Sequence, residues 1–446
     1  MKIINSYNVK INVNKAIKDT VSIYRKAVTF LIDVYSKEWT NLSILDGKAK
    51  NNYAEKLVHS TKDNPHPIYD FDRLFYKFPS YLRRSAIQDA LGIVGSYYSN
   101  LDNYNKERYN AISNGRKFNK KAPKLSLKHY KCPALYKGNM FLRTGSLTAN
   151  IKIFKNNDWI WLPVNLNKQD IKYIEKYCKD KKELSPILIT KGRKSYLKFI
   201  YEHKITLNNK NIKDQKILAV DLGLNHSAVC SVMDSYGTVT NRLFINQPVE
   251  KDRMNHLLNR LRLKQKQSPN KAKMPKIWAK INGLNTHIIN DTVNKIVSFA
   301  KQNEVDTIVF EYLNFKGKKP KQIAMRLQMW AKRNIQNKVE HKAHSNGIRV
   351  NKINCRNTSN LAFDGSGKVQ RNKSNASLCT FATGKQYNCD LNATYNIGAR
   401  YYIREINKTI SEKKWLLIEA KVPLLARRTQ STLSTLLELN KALMVI

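Results

Sequence analysis

The chain has 446 residues, with 80 Lys or Arg against 33 Asp or Glu, a formal net charge of +47. Its length allows roughly two to four domains with real cores, and a hydrophobic fraction of 42% excludes a wholly disordered chain. A polycation of this size repels itself until a polyanion neutralises it, so nucleic acid is the partner class that the composition favours.

No run of about 18 or more apolar residues and no lipidation motif occurs, so no membrane partner is expected. The start, "MKIINSYNVKINVNKAI", lacks the continuous apolar stretch of a signal peptide. The six cysteines are scattered without a CxxC pair. That usage suits a reducing, prokaryotic-type cytoplasm, where a basic protein would sit on the nucleoid.

Along the chain, residues 4 to 14 alternate apolar and polar residues and predict a strand. From 16 to 112 apolar residues recur three and four apart, which predicts helices. Tyr97, Tyr98, Tyr104 and Tyr109 share one such stretch. At this spacing they read first as packing residues and only second as a base-stacking platform. Residues 115 to 131, "GRKFNKKAPKLSLKHYK", are basic without an acid and predict a strand or loop that tracks phosphates rather than a solvated linker. Two β-rich runs follow, so a small barrel or sandwich is expected, with the first strand in the same sheet and the helices inserted.

The character changes near 216. "KILAVDLGLNHSAVCSVMDSYGTVTNRLFI" reads as three strands joined by turns. A basic helical pair follows, then the strand "DTIVFEYL", a helix over about 322–345, the strand "IRVNKIN", a loop rich in Gly, Asn and Ser, and a helix starting near Asp390. Three antiparallel strands followed by alternating helices and strands is the order of the RNase H-like fold.

Three carboxylates fall at element ends that such a sheet brings together. Asp221 ends the apolar strand "LAVD" and Glu311 sits late in "TIVFEYLNF". Asp390 opens the helical segment "CDLNATYNIGARYYI". Each has a plain structural reading: a turn Asp before Gly, a strand-end Glu, and a helix N-cap. Together they suit phosphodiester hydrolysis with two Mg²⁺ ions, which prefer hard oxygen ligands and would relieve the mutual repulsion of three acids.

"AVDLGLNHSAV", "IVFEYLNF" and "CDLNATYNIGARYYI", in that order, resemble the three RuvC motifs of the transposon-encoded TnpB nucleases and of the compact type V CRISPR effectors. The likeness covers about residues 216 to 403, and the N-terminal half matches only in layout. It implies an α/β chain with an RNase H-like (RuvC) nuclease domain in the C-terminal half. A wedge-type β-barrel, interrupted by a helical recognition domain, would form the N-terminal half. The corresponding segments are 1–15 (first barrel strand), 16–112 (recognition helices), 113–212 (rest of the barrel), 213–354 (RuvC-like, first part), 355–389 (a zinc-module loop) and 390–446 (RuvC-like, last part, with a tail expected to pack on it). The resemblance further implies RNA-guided cleavage of double-stranded DNA beside a short flanking motif. The partners are then a guide RNA and target DNA, with Asp221, Glu311 and Asp390 as the catalytic carboxylates that bind Mg²⁺.

One departure concerns zinc. The family places TS-x2-C-x2-C-G and a later C-x2-C between its second and third motifs. Here Ala362 and Gly365 stand at the first Cys pair, and Cys379 faces Ala382 at the second. A closed zinc site needs about four S or N ligands, so no zinc is expected.

Nucleic-acid contacts are expected from the basic helical segments, at Lys264 and Lys266 and at Lys332 and Arg333. "FYKFPSYLRRSAIQ", with Lys77, Arg83 and Arg84, is the segment expected to read the flanking motif. A heteroduplex would be gripped through its backbone and A-form shape. The alternative within the family is a guided DNA binder that no longer cuts and acts as a repressor. A guide-free junction resolvase is disfavoured by the large basic N-terminal half.

Overall fold

The computed structural model describes residues 1–62, 64–268, 274–312, 332–372, 375 and 377–445. The protein is mixed α/β and divides into two compact units, Lys2–His203 and Lys204–Ile446, the second including Met1.

In the first unit the elements are β1 (Lys2–Ile11), α1 (Lys15–Lys37), α2 (Trp39–Ser43), α3 (Gly47–Lys56), α4 (Phe71–Leu74), α5 (Ser80–Ser113), β2 (Phe141–Arg143), β3 (Thr148–Lys155), β4 (Asp158–Asn165), α6 (Lys168–Cys178), β5 (Lys182–Glu183), β6 (Ile187–Lys191) and β7 (Lys194–Lys204). Asn14 caps α1 by accepting from the Ala16 N–H at 2.9 Å. Ile17, Val21, Tyr24, Val28, Leu31 and Tyr35 recur at helical spacing and are buried, giving α1 one apolar face. That face packs on α5 and β3. α5 is buried only from Leu82 to Val94; its second half is largely exposed.

The strands of this unit form two sheets, one of β1, β5, β6 and β7 and one of β2, β3 and β4. A single bridge, Ile11 to Leu166, links residues at the ends of β1 and β4. β3 and β4 make a hairpin in which Lys155 pairs with Asp158. Asn156 and Asn157 between them have φ of 51° and 59°, the left-handed pair that a tight two-residue hairpin turn requires and that Asn tolerates. The basic stretch 115–131 is irregular and mostly exposed. Its end is anchored where Arg25 donates to the Lys131 carbonyl at 2.9 Å and Lys131 pairs with Asp89 at 2.8 Å.

In the second unit the elements are β8 (Ile217–Asp221), β9 (Ala228–Met233), β10 (Val239–Ile245), α7 (Pro248–Gln267), α8 (Pro275–Gln302), β11 (Thr307–Tyr312), α9 (Lys332–His344), β12 (Arg349–Asn354), β13 (Gln370–Arg371), β14 (Leu378–Thr380), β15 (Gln386–Asn388), α10 (Cys389–Thr409), α11 (Glu412–Lys421) and α12 (Leu433–Val445). Its main sheet has the order β10-β9-β8-β11-β12. The first three strands are antiparallel, while β11 runs parallel to both β8 and β12. The helix expected over 322–345 lies partly outside the described residues; its described part is α9.

The two faces of this sheet have separate cores. Leu218, Val220, Ile308 and Phe310 pack with α8 and α9. Ile217, Ala219 and Val309 pack with α10 and α12. α10 comes so close to β9 that a Cβ on Gly398 would meet the Met233 sulfur at 2.9 Å. The C-terminal segment packs on α10 through Leu433, Leu436 and Leu439. Among the described residues no helix is long and apolar enough to cross a membrane.

Candidate active site

Strand alternation decides where the first two carboxylates point. On β8, Ile217 and Ala219 face α10, so Asp221, two residues on, shares that face. On β11, Val309 faces α10, and Glu311 follows by the same period. The two strands are parallel neighbours, with Ala219 opposite Val309 and Val220 opposite Phe310. The next step of that register sets Asp221 beside Glu311, at the end of both strands. α10 covers this face, and its first turn carries Asp390.

Asp390 is not the helix cap. Asn388 is: its side chain accepts from the backbone N–H groups of Asp390 and Leu391, each at 3.0 Å. This corrects the reading of Asp390 as an N-cap and leaves its carboxylate for another partner. That partner is His226, whose Nδ1 lies 3.1 Å from Asp390 Oδ2. His226 belongs to the turn between β8 and β9, five residues after Asp221. Its ring meets Phe244 edge-on at 5.3 Å, and Lys251 on α7 donates to the neighbouring Asn225 carbonyl. Gly223 is required in this turn, because a Cβ there would meet the His226 carbonyl oxygen at 2.8 Å.

Glu311 is held from the other side. It accepts a hydrogen bond from the Thr358 hydroxyl, and its backbone carbonyl accepts from Gln336 at 2.9 Å. Thr358 is buried and is itself fixed by α10: Asn396 donates to the Thr358 carbonyl at 3.0 Å and to that of Leu361 at 2.9 Å. Asn392 donates to Leu361 and accepts from the Phe363 N–H, both at 2.8 Å. Buried polar groups on α10 thus bind the 358–363 loop, which would otherwise bury unpaired carbonyls. Arg400, further along α10, donates to the carbonyls of Arg356 at 2.6 Å, Thr429 at 2.9 Å and Ser431 at 2.9 Å. Burial brings its guanidinium down to about 10, opposed by the nearby Glu311 charge.

Among the described residues, no three Asp, Glu, His or Cys side chains are drawn in to metal-ligand distance of a common point. The donor chemistry at the strand ends nevertheless suits a hard divalent cation: Asp221 and Glu311 side by side, and Asp390 on the covering helix.

The 355–389 segment is a small sheet, β13-β14-β15, around an apolar centre of Ala362, Val369, Cys379, Phe381 and Cys389. Burial, then the hydrogen bond with Cys389, pushes the Cys379 thiol up to about 12.

Of the residues expected to touch nucleic acid, Lys264 and Lys266 are exposed in the last turn of α7, and Arg333 is exposed on α9. The Lys332 side chain lies outside the described residues. Lys77 is exposed, 3.8 Å from Asp158. Arg84 is 58% exposed and lies over the Tyr81 ring. Arg83 is a correction: it is buried, with Glu55 at 3.2 Å and Asp72 at 3.8 Å, so its charge is used inside the fold. His226, Thr358, Asn388 and Arg400 join the site beyond the residues expected from the sequence. For Asn388 a signal was present, since Asn ranks with Asp as a cap and stands two residues earlier.

Comparison with known proteins gives a family match and several structural likenesses. Residues 5–155 match the Aq_aa04 family. An uncharacterised protein, aq_aa04 of Aquifex aeolicus, is 32% identical over 99 residues, 20% of this chain and 55% of that protein. The chain thus spans about half the length of this curated relative. Among solved structures, the chain is similar to that of a Cas12f1–sgRNA–target DNA complex, with 14% identity, a TM-score of 0.47 and coverage of 89% of this chain and 98% of that one. It is also similar to Alicyclobacillus acidoterrestris C2c1 bound to a single-guide RNA, with 10% identity, a TM-score of 0.41 and coverage of 87% and 65%.

Proposed function

We propose that the chain is an RNA-guided DNA endonuclease with a single RuvC-like, RNase H-type site formed by Asp221, Glu311 and Asp390. One observation carries this reading. Register and alternation set Asp221 and Glu311 together at the ends of adjacent parallel strands, on the face covered by the helix whose first turn bears Asp390. The strand order β10-β9-β8-β11-β12 supports the RNase H-like assignment.

The three carboxylates would hold Mg²⁺, which when bound supplies an activated water and neutralises charge on the scissile phosphate. The chain's own residues do the positioning. Thr358 orients Glu311, and His226 holds Asp390 while Asn388 carries the capping duty. Exposed Lys264, Lys266 and Arg333 would meet the backbone of a guide–target duplex, giving grip without sequence readout. Arg84 and Lys77 are the candidates for contacts near the flanking motif.

The 355–389 loop would stand without zinc, its centre combining apolar side chains with Cys379 and Cys389, short of the four ligands that a closed site needs. Elemental analysis of the purified protein should find no stoichiometric zinc; one zinc per chain would refute this.

A second reading, a guided binder that does not cut, is favoured by one observation: the Glu311 and Asp390 carboxylates are engaged by Thr358 and His226, and no three such groups converge among the described residues. One experiment separates the two. The chain is purified with RNA from its native locus and challenged in Mg²⁺ with matching duplexes carrying randomised flanks. Cleavage lost on Asp221→Ala supports the nuclease. Tight, guide-dependent binding without cleavage supports the binder. Cleavage that needs no RNA refutes both.

A further inference from the structure

The second unit holds a cleft of about 500 Å³ between the end of β12, α10, α11 and residues 425–431. That volume is in the range of small-ligand sites. Its lining combines two chemistries. Ile353, Ile403 and Leu425 are apolar, and Trp415 presents a half-buried indole. Around them stand the cations Arg404, Lys408 and Arg428. Lys408 is paired with Glu405 at 2.9 Å and Arg404 with the same carboxylate at 2.8 Å. The Arg428 guanidinium and the Asn407 amide make no hydrogen bond or ion pair among the described residues, so a cation and a two-way hydrogen-bonding group remain available.

An inorganic anion would use the cations but not the indole and the apolar floor. An apolar ligand would use the floor but not the rim. A ligand with a flat heteroaromatic face and an attached phosphate uses both. We propose that this cleft is a nucleotide-binding site, taking one nucleotide unit with its base against Trp415 and its phosphate on Arg428. The Asn407 amide can hydrogen-bond the base edge. The cleft lies beside the candidate active site: Asn354, which lines it, pairs in register with Tyr312, the residue after Glu311. A nucleotide held here would belong to a single strand running past the carboxylates. That last assignment rests on the nuclease reading; the binding site itself does not.

The test uses the full chain carrying Asp221→Ala in Mg²⁺-free buffer, so that a failure of cleavage cannot mimic a failure of binding. The probes are 2-aminopurine deoxynucleoside monophosphate and a tetranucleotide containing one 2-aminopurine, whose fluorescence is quenched by stacking. Saturable quenching is expected. Trp415→Leu and Arg428→Gln should each weaken it on the order of tenfold. Trp415→Phe should restore most of it, and Arg427→Gln, outside the cleft, should leave it unchanged. The Phe variant keeps the test decisive if Trp415→Leu misfolds. Binding of both probes assigns a free nucleotide as well as a strand, and binding of the tetranucleotide alone assigns a strand; either supports the site. Absence of saturable quenching, or quenching indifferent to these variants, overturns it. So does displacement by hexaglutamate as effective as displacement by unlabelled tetranucleotide, which would assign the cleft to an acidic peptide.

Discussion

Replacing Asp390 with Asn separates two jobs that one helix N-terminus performs. The cap belongs to Asn388, which accepts from two backbone N–H groups at 3.0 Å and is untouched by Asp390→Asn. What the variant changes is the 3.1 Å carboxylate contact with His226, now made by an amide, and one negative charge lost from the first turn of α10. A side-chain hydrogen bond of this kind contributes about 0.5–1.5 kcal/mol. A favourable first-turn charge contributes about 0.3–1 kcal/mol. The expected destabilisation is therefore about 1 kcal/mol, a fall in Tm of roughly 2–4 °C. Catalysis should respond on another scale. A carboxylate that supports a bound cation at the scissile phosphate is worth about 3 kcal/mol or more, a loss of about a hundredfold or more in rate. Asn388→Ala reverses the pattern: it costs about 1 kcal/mol of helix stability and should leave cleavage within a few-fold. The assay pairs thermal denaturation with single-turnover cleavage of a matched duplex by the guide-loaded protein. Normal cleavage by Asp390→Asn, or parallel losses in the two variants, would show that Asp390 has only a structural part.

Three further outcomes follow from local geometry. Gly223→Ala puts a methyl 2.8 Å from the His226 carbonyl oxygen, so the turn that positions His226 must shift; a loss of about 1–3 kcal/mol and slower cleavage are expected, read by melting and kinetics together. Arg83→Ala should destabilise the fold by about 2–3 kcal/mol by removing the buried cation between Glu55 and Asp72, whereas the neighbouring Arg84→Ala should melt nearly normally but bind nucleic acid more weakly, with the salt slope reduced by about one; equal behaviour of the two refutes the assignment. Cys379 is an acid whose folded value is raised to about 12, so its contribution to stability is full below about pH 9 and fades as pH rises toward 12. At pH 8 the thiol is protonated and buried, and native alkylation followed by mass spectrometry should label the half-exposed Cys355 well before Cys379; rapid labelling of Cys379 would contradict that placement.

Much of the second unit was legible because its signals are local. Strand runs such as "KILAVD" and "TIVF" are apolar enough to be read as buried, and an acid at the end of each stands out against them. The alternation that turns Asp221 and Glu311 to one face is a property of any strand; register alone, which no single segment encodes, sets them side by side. The less legible residues are those whose role is set by a distant partner. Arg83 and Arg84 are adjacent in a basic run and both approach Glu55, at 3.2 and 3.8 Å, but nothing local says that the first is buried while the second stays largely in solvent. Thr358, in the middle of a polar loop, gives no hint that its hydroxyl meets Glu311. His226 is one polar residue in a turn until α10 brings Asp390 against it.

The buried polar residues of α10 explain why this helix can hold a charge at its start. Asn392, Thr394 and Asn396 are fully buried in a helix that otherwise packs apolar side chains on the sheet. Such groups cost stability unless each finds a partner. Here Thr394 meets Ser231 of β9 at 2.6 Å, Asn392 binds the 361–363 loop, and Asn396 binds the same loop together with the Leu433 N–H of the tail. The partners come from the sheet, the loop and the C-terminal helix, so the rotation and height of α10 are set by directional bonds as well as by packing. An apolar α10 could slide or turn by a few degrees with little penalty. This one cannot without breaking several buried hydrogen bonds at once, and the position of Asp390 relative to Asp221 and Glu311 is fixed by the same constraint.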